Sequence, residues 1–193
     1  MIETARLPMT PMLANVGVPM IFVQMPGMVC ALIPIIILEA LLIRRWLSLP
    51  YGDAFKGVTL ANLASTIVGV PLAWLVMVLI EFAVVLPVAI AADHWHWKLD
   101  SPVLGVLGFL LSIAWLGPVE RQLYWMIPAA SALLLIPSFV VSVWLERRIC
   151  LRSWSGVDPA SVRRGVFNAN VASYGLLFII ACGWLAAACF YKR

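Results

Sequence analysis

The stretch Gly57-Val58-Thr59-Leu60-Ala61-Asn62-Leu63-Ala64-Ser65 opens a run to Ala92 in which the one charged side chain is Glu81. As a single helix, those thirty-six residues are about 54 Å long at 1.5 Å per residue, against a hydrocarbon core of roughly 30 Å. The run must therefore tilt, protrude or break, and Pro71 and Pro87 are the expected breaks. The opening nonapeptide returns as Gly165-Val166-Phe167-Asn168-Ala169-Asn170-Val171-Ala172-Ser173, with six of nine positions identical. Glu39 lies eighteen residues before Gly57, and Glu146 nineteen before Gly165. Paired arginines follow both acids, Arg44-Arg45 and Arg147-Arg148. The pattern reads as an internal duplication within a single transmembrane domain, residues 1–193. Unit one covers about 17–92 and unit two about 123–193, with an outer segment of about 93–123 between them.

Composition makes the bilayer the solvent. The chain is 64% hydrophobic and 11% charged, with a mean hydropathy of +1.02, whereas a soluble domain carries roughly 25% charged residues. Within hydrocarbon a backbone satisfies its hydrogen bonds only as helices or closed barrels. The apolar runs here are continuous rather than alternating, which selects helices, so the expected class is an all-α integral membrane protein.

Eight of the thirteen Lys and Arg fall between Arg44 and Lys56 or between Arg147 and Arg164. Basic residues concentrated beside apolar spans mark cytoplasmic loops. They are not read as a nucleic-acid surface, and no nucleic-acid partner is expected. Four cysteines, Cys30, Cys150, Cys182 and Cys189, form no CxxC pair and imply no disulfide framework. No basic segment followed by a short apolar stretch and a cleavage site opens the chain, so no signal peptide is expected.

In order, the expected spans are Gly17–Ile43, with its first half kinked or partly unwound by Pro19, Pro26 and Pro34, then the run from Gly57. Leu123–Leu145 and Gly165–Tyr191 follow, and the basic segments 44–56 and 146–164 form the loops. Asp158-Pro159 reads as a helix cap and first turn within the second of these. Residues 102–116 are short for a crossing. With both basic loops cytoplasmic, that segment is re-entrant or interfacial on the outer side. The four crossings then form two parallel pseudo-symmetric helix pairs with an axis along the membrane normal. A five-span topology is the alternative.

Three constellations invite chemistry. Glu39, Asn62, Ser65, Glu146, Asn170 and Ser173 lie at matching depths near the basic loops, a polar intramembrane cluster. Ionisable groups within spans are costly and are retained for ion or substrate work. The same residues also suit a helix lock, with each Glu bonded to a neighbouring Arg or Asn. Glu81, near the outer half of its span, is a candidate ion or proton site, or an interfacial anchor. His94 and His96, with Asp93, Asp100 and the scattered Met9, Met12, Met20, Met25 and Met28, form a possible zinc or copper site. Interfacial anchoring by Trp95 and Trp97 is the plain alternative.

No nucleotide loop, HExxH, Gly-x-Ser-x-Gly or Ser/His/Asp set is present, so nothing recruits an enzyme, and no cofactor is specified. The leading expectation is a structural or accessory subunit of a membrane complex or homo-oligomer. Its partners are then lipid and other membrane subunits or further copies. A small transporter or channel built on the duplicated cluster is the alternative, and a membrane metal-binding protein the second alternative. The expected location is a bacterial inner membrane with the basic loops cytoplasmic.

Overall fold

A computed structural model of the chain describes residues 20–94 and 123–191. Every described element is helical. They are α1 (Met20–Leu47), α2 (Tyr51–Ala64), a π-helical segment (Ser65–Gly69), α3 (Val70–His94), α4 (Leu123–Ser153) and α5 (Pro159–Tyr191). Four helical stretches are long and apolar enough to cross a membrane: Pro26–Leu47, Tyr51–Val84, Tyr124–Ser153 and Pro159–Phe190. The protein is therefore an all-helical, multi-pass integral membrane protein. The expected outer segment lies outside the described residues.

The connections are shorter than the basic stretches suggested. α1 carries Arg44 and Arg45 in its last turn, α2 begins at Tyr51, and only residues 48–50 intervene. Likewise α4 runs on to Ser153, and α5 begins at Pro159 with Arg163 and Arg164 inside it. At the ends of α1 and α4 the physical reason is electrostatic, because Arg44, Arg45 and Arg152 in a last helical turn complement the carbonyl end of the macrodipole. At the start of α5 the Asp158 carboxylate accepts from the Ser161 amide and hydroxyl, both at 2.8 Å. Pro159 follows in the first helical position, which needs no amide proton. The cap expected there is present.

The prolines act differently from expectation. Pro26 and Pro34 lie within an unbroken α1, and Pro87 lies within α3. Among the described helices the one departure from α geometry is Ser65–Gly69, which ends two residues before Pro71. Pro71 offers no amide to the Ile67 carbonyl, and its ring presses on that group. Upstream, the Ser65 and Thr66 hydroxyls both donate to the Asn62 carbonyl, at 3.1 and 2.8 Å. With acceptors diverted above and a donor missing below, the wider turn accommodates both defects.

α1 packs on α2 and α5, α2 on α4, and α4 on α5, so the helices surround a common axis. The buried face of α2 is Ala54, Gly57, Val58, Ala61, Asn62 and, one turn on, Ser65, a single helical stripe. On α5 the buried stripe is Val162, Gly165, Val166, Ala169, Asn170 and Ser173. Two glycines let neighbours close in. A Cβ on Gly57 would lie 2.5 Å from the Trp154 ring, while one on Gly165 would meet Leu47 at an ordinary 3.5 Å. The Trp154 indole also donates to the Asp53 carbonyl at 3.2 Å. Large apolar side chains such as Ile33, Ile67, Ile179 and Phe190 face outward, the arrangement hydrocarbon solvent permits.

Candidate functional site

Glu39 and Glu146 are fully buried, and each is held by an asparagine and a serine. Glu39 Oε2 accepts from Asn62 Nδ2 at 2.8 Å, and its Oε1 accepts from Ser173 Oγ at 2.5 Å. Glu146 Oε2 accepts from Asn170 Nδ2 at 2.7 Å, and its Oε1 accepts from Ser65 Oγ at 2.8 Å. The asparagine in each case comes from the next helix along the chain, and the serine from the other half of the molecule. Both asparagines also donate one turn back along their own helix, Asn62 to the Val58 carbonyl and Asn170 to the Val166 carbonyl. All six cluster residues named from the sequence thus meet in one hydrogen-bonded group, with exposures of 5% or less.

Of the two sequence-based partners for the acids, asparagine is the one used. Arg147 stacks its guanidinium on Phe167 at 5.3 Å, and Arg148 lies 3.7 Å over the Trp144 ring. Neither supplies a hydrogen bond to the cluster. A carboxylate has about four lone-pair sites. Each of the four oxygens here takes one side-chain donor, so acceptor capacity remains.

A cavity of about 530 Å³ is lined by all the described helices and reaches this cluster. Glu146, Ser65 and Asn62 line its floor, and Leu32, Ile35, Leu135 and Leu177 are among its walls. Along α4 the cavity extends from Ile127 to Glu146. The nineteen residue steps between them span about 28 Å of helix. Ser131, Ser138, Ser142 and Glu146 recur at spacings of seven, four and four, so one polar stripe leads down the cavity to the acid. Ser142 and Tyr174 share a hydrogen bond of 2.7 Å beside that path. Glu39 does not line the cavity. The π-helical segment falls at the same place, and Ser65 and Thr66 within it face the cavity.

Sequence reasoning missed Ser131, Ser138, Ser142 and Tyr174. The available signal was their helical register with Glu146, hidden by the apolar residues between them. Glu81 lies within α3, but its side chain is outside the described residues. The same holds for the His94 side chain and for the whole of His96. Among the described residues, no three His, Cys, Asp or Glu gather closely enough to hold a metal ion.

No protein-family model matches this chain, and neither a curated protein nor a solved structure matches it.

Proposed function

We propose that this protein is a small membrane transporter or channel, with Glu146 at one end of the cavity as its intramembrane binding group. The observation that carries this reading is the cavity itself. A lock between helices needs no void, and apolar packing could have closed this one. Instead a buried carboxylate, with lone pairs to spare, is presented at the end of a polar stripe. Functional sites are concave and mostly apolar, with a few convergent polar groups, and π-helical segments recur beside them.

The architecture we propose is two parallel helix pairs related by a pseudo-twofold axis along the membrane normal. Burial supports it: the buried positions of α2 recur in α5 at a constant offset of 108 residues, Ala54 with Val162 through Ser65 with Ser173. Glu39 and Ile43 in α1 likewise correspond to Glu146 and Cys150 in α4, all four buried. The halves differ where the cavity opens, since the π-helical segment has no counterpart in α5. We further propose that both connections face the cytoplasm, on the distribution of arginine. Cysteines replacing Ser48 and Ser155 should then both resist an impermeant thiol reagent in intact cells, and one replacing Ser101 should react.

The reciprocal bonding of the acids favours a second reading, a structural subunit whose cluster staples two helix pairs together. Accessibility separates the two. In a cysteine-free background reconstituted in liposomes, Ser138→Cys and Ser131→Cys should react with a water-soluble methanethiosulfonate if the cavity is a ligand path. Two inert cysteines would leave the staple as the better account.

A further inference from the structure

We infer that the cavity takes a lipophilic monocation, a hydrophobic amine or quaternary ammonium whose head sits at Glu146 and whose tail lies along α4. This rests on reading the cavity as a ligand site, and it names the class of ligand. Among the described residues the lining contains one charged side chain, Glu146, and no lysine or arginine. An anion would meet that carboxylate without a compensating cation. A small hydrated metal ion would have to shed water in a passage whose walls are mostly hydrocarbon, with the Asn62 amide oxygen and a few hydroxyls as its other side-chain oxygen ligands. Leu32, Ile35, Leu135 and Leu177 instead supply a surface that rewards burial of an alkyl group.

Aromatic residues complete the fit. Tyr174 stands near the floor, and Trp74 and Trp184 line the walls further along. Ring faces attract organic cations, most strongly where water is excluded. A cavity of about 530 Å³ is drawn out beside α4 from Ile127 to Glu146, a length that suits an extended alkyl chain. Carboxylate, aromatic residues and an elongated apolar cavity together select a chain-bearing monocation over a neutral lipid, which has no use for the acid.

The test uses the full-length chain in phosphatidylcholine nanodiscs with radiolabelled decyltrimethylammonium as the probe. Saturable binding of one probe per chain is expected, with neither decanoate nor decanol competing. Glu146→Gln, if it elutes as the parent does, should weaken binding by more than about tenfold, the scale of losing one buried charge partner. Ala73→Phe provides the second variant, because Ala73 is buried and lines the cavity. It should abolish binding without touching the acid. If decanol competes as well as the cation and Glu146→Gln binds unchanged, the monocation assignment is overturned while the cavity remains a ligand site. If neither decyltrimethylammonium nor decanol binds saturably to well-dispersed parent protein, the assignment and the ligand-site reading fall together.

Discussion

Ser173 reaches across 134 residues of sequence to donate a 2.5 Å hydrogen bond to Oε1 of Glu39. Ser65 does the same for Oε1 of Glu146 across 81 residues. Neither acid is satisfied within its own half of the chain, because each takes its asparagine from the adjacent helix and its serine from the opposite half. Separating the halves would strand two buried carboxylates, each with one oxygen stripped of its donor. The cluster therefore couples assembly of the bundle to completion of the site.

Substitutions at the acids should divide by whether an acceptor survives. Glu39→Ala leaves one Asn62 N–H without an acceptor, since Ser173 can still donate to the Asn170 carbonyl, and a buried donor lacking a partner costs about 1–3 kcal/mol. Glu39→Gln keeps one acceptor for Asn62, and its amide can donate to Ser173, whose hydroxyl then donates to the Asn170 carbonyl 3.2 Å away. Removing the charge also removes its desolvation cost. Thermal unfolding in detergent should therefore show Ala variants at Glu39 and Glu146 clearly destabilised, with the Gln variants equal to the parent or above it. A marked loss in both Gln variants would show that the charge itself holds the bundle together.

Acid should loosen the start of α5 through Asp158. Its hydrogen bonds to Ser161, side chain first and then backbone, hold the exposed carboxyl below its ordinary value. A depressed folded-state value means the stabilising contribution is complete above the unfolded-state value of about 3.9 and disappears as pH falls through the lower folded one. The protection of the Ser161 amide, taken relative to its intrinsic exchange rate at each pH, should fall across that acid window in the parent. In Asp158→Asn the same amide should show no such acid-dependent step, and an identical pH profile in both proteins would rule out this cap as the cause.

Much of this architecture was legible in the residues. The echo of Ala-Asn-x-Ala-Ser put Asn62 and Asn170 on the buried stripes of α2 and α5, because helical periodicity turns a repeated spacing into a repeated face. Arg44 and Arg147 were harder, since a basic residue beside a span marks a membrane boundary but not whether the helix has ended. The helices absorb these arginines and shrink both connections. Pro71 announced a break without its form, because the π turn also depends on the Ser65 and Thr66 hydroxyls competing for the Asn62 carbonyl. The cavity left the weakest trace. A void is defined by side chains from all sides at once, and Ser138 or Ser142 alone among leucines looks like any tolerated hydroxyl.

Ser48 should be improvable. It follows the last residue of α1 with φ of 53°, the left-handed position that glycine normally fills after a helix. A side chain there costs roughly 1–2 kcal/mol relative to glycine, partly offset by the greater freedom glycine loses on folding. Ser48→Gly should therefore raise the unfolding midpoint modestly. A lower midpoint would mean that the serine hydroxyl contributes more than its conformation costs.

The two matched glycines should respond to the same substitution with opposite signs. Gly165→Ala places a methyl at ordinary contact distance from Leu47, 3.5 Å at the closest. It should gain about 0.5–1 kcal/mol from reduced backbone freedom in the unfolded chain. Gly57→Ala drives the same methyl to 2.5 Å from the Trp154 ring, and the indole's bond to the Asp53 carbonyl restrains it from swinging aside. Overpacking of this kind costs about 1–3 kcal/mol, which exceeds the gain. Leu47 and Trp154 each lie eight residues beyond their acid, Glu39 and Glu146, so the leucine is the natural pattern for a smaller cover. The double variant Gly57→Ala/Trp154→Leu should accordingly recover part of the stability that Gly57→Ala loses, as read by thermal unfolding of all four proteins in one detergent. Equal effects at Gly57 and Gly165, or no recovery in the double variant, would show that the Trp154 contact does not set how closely α2 is approached at Gly57.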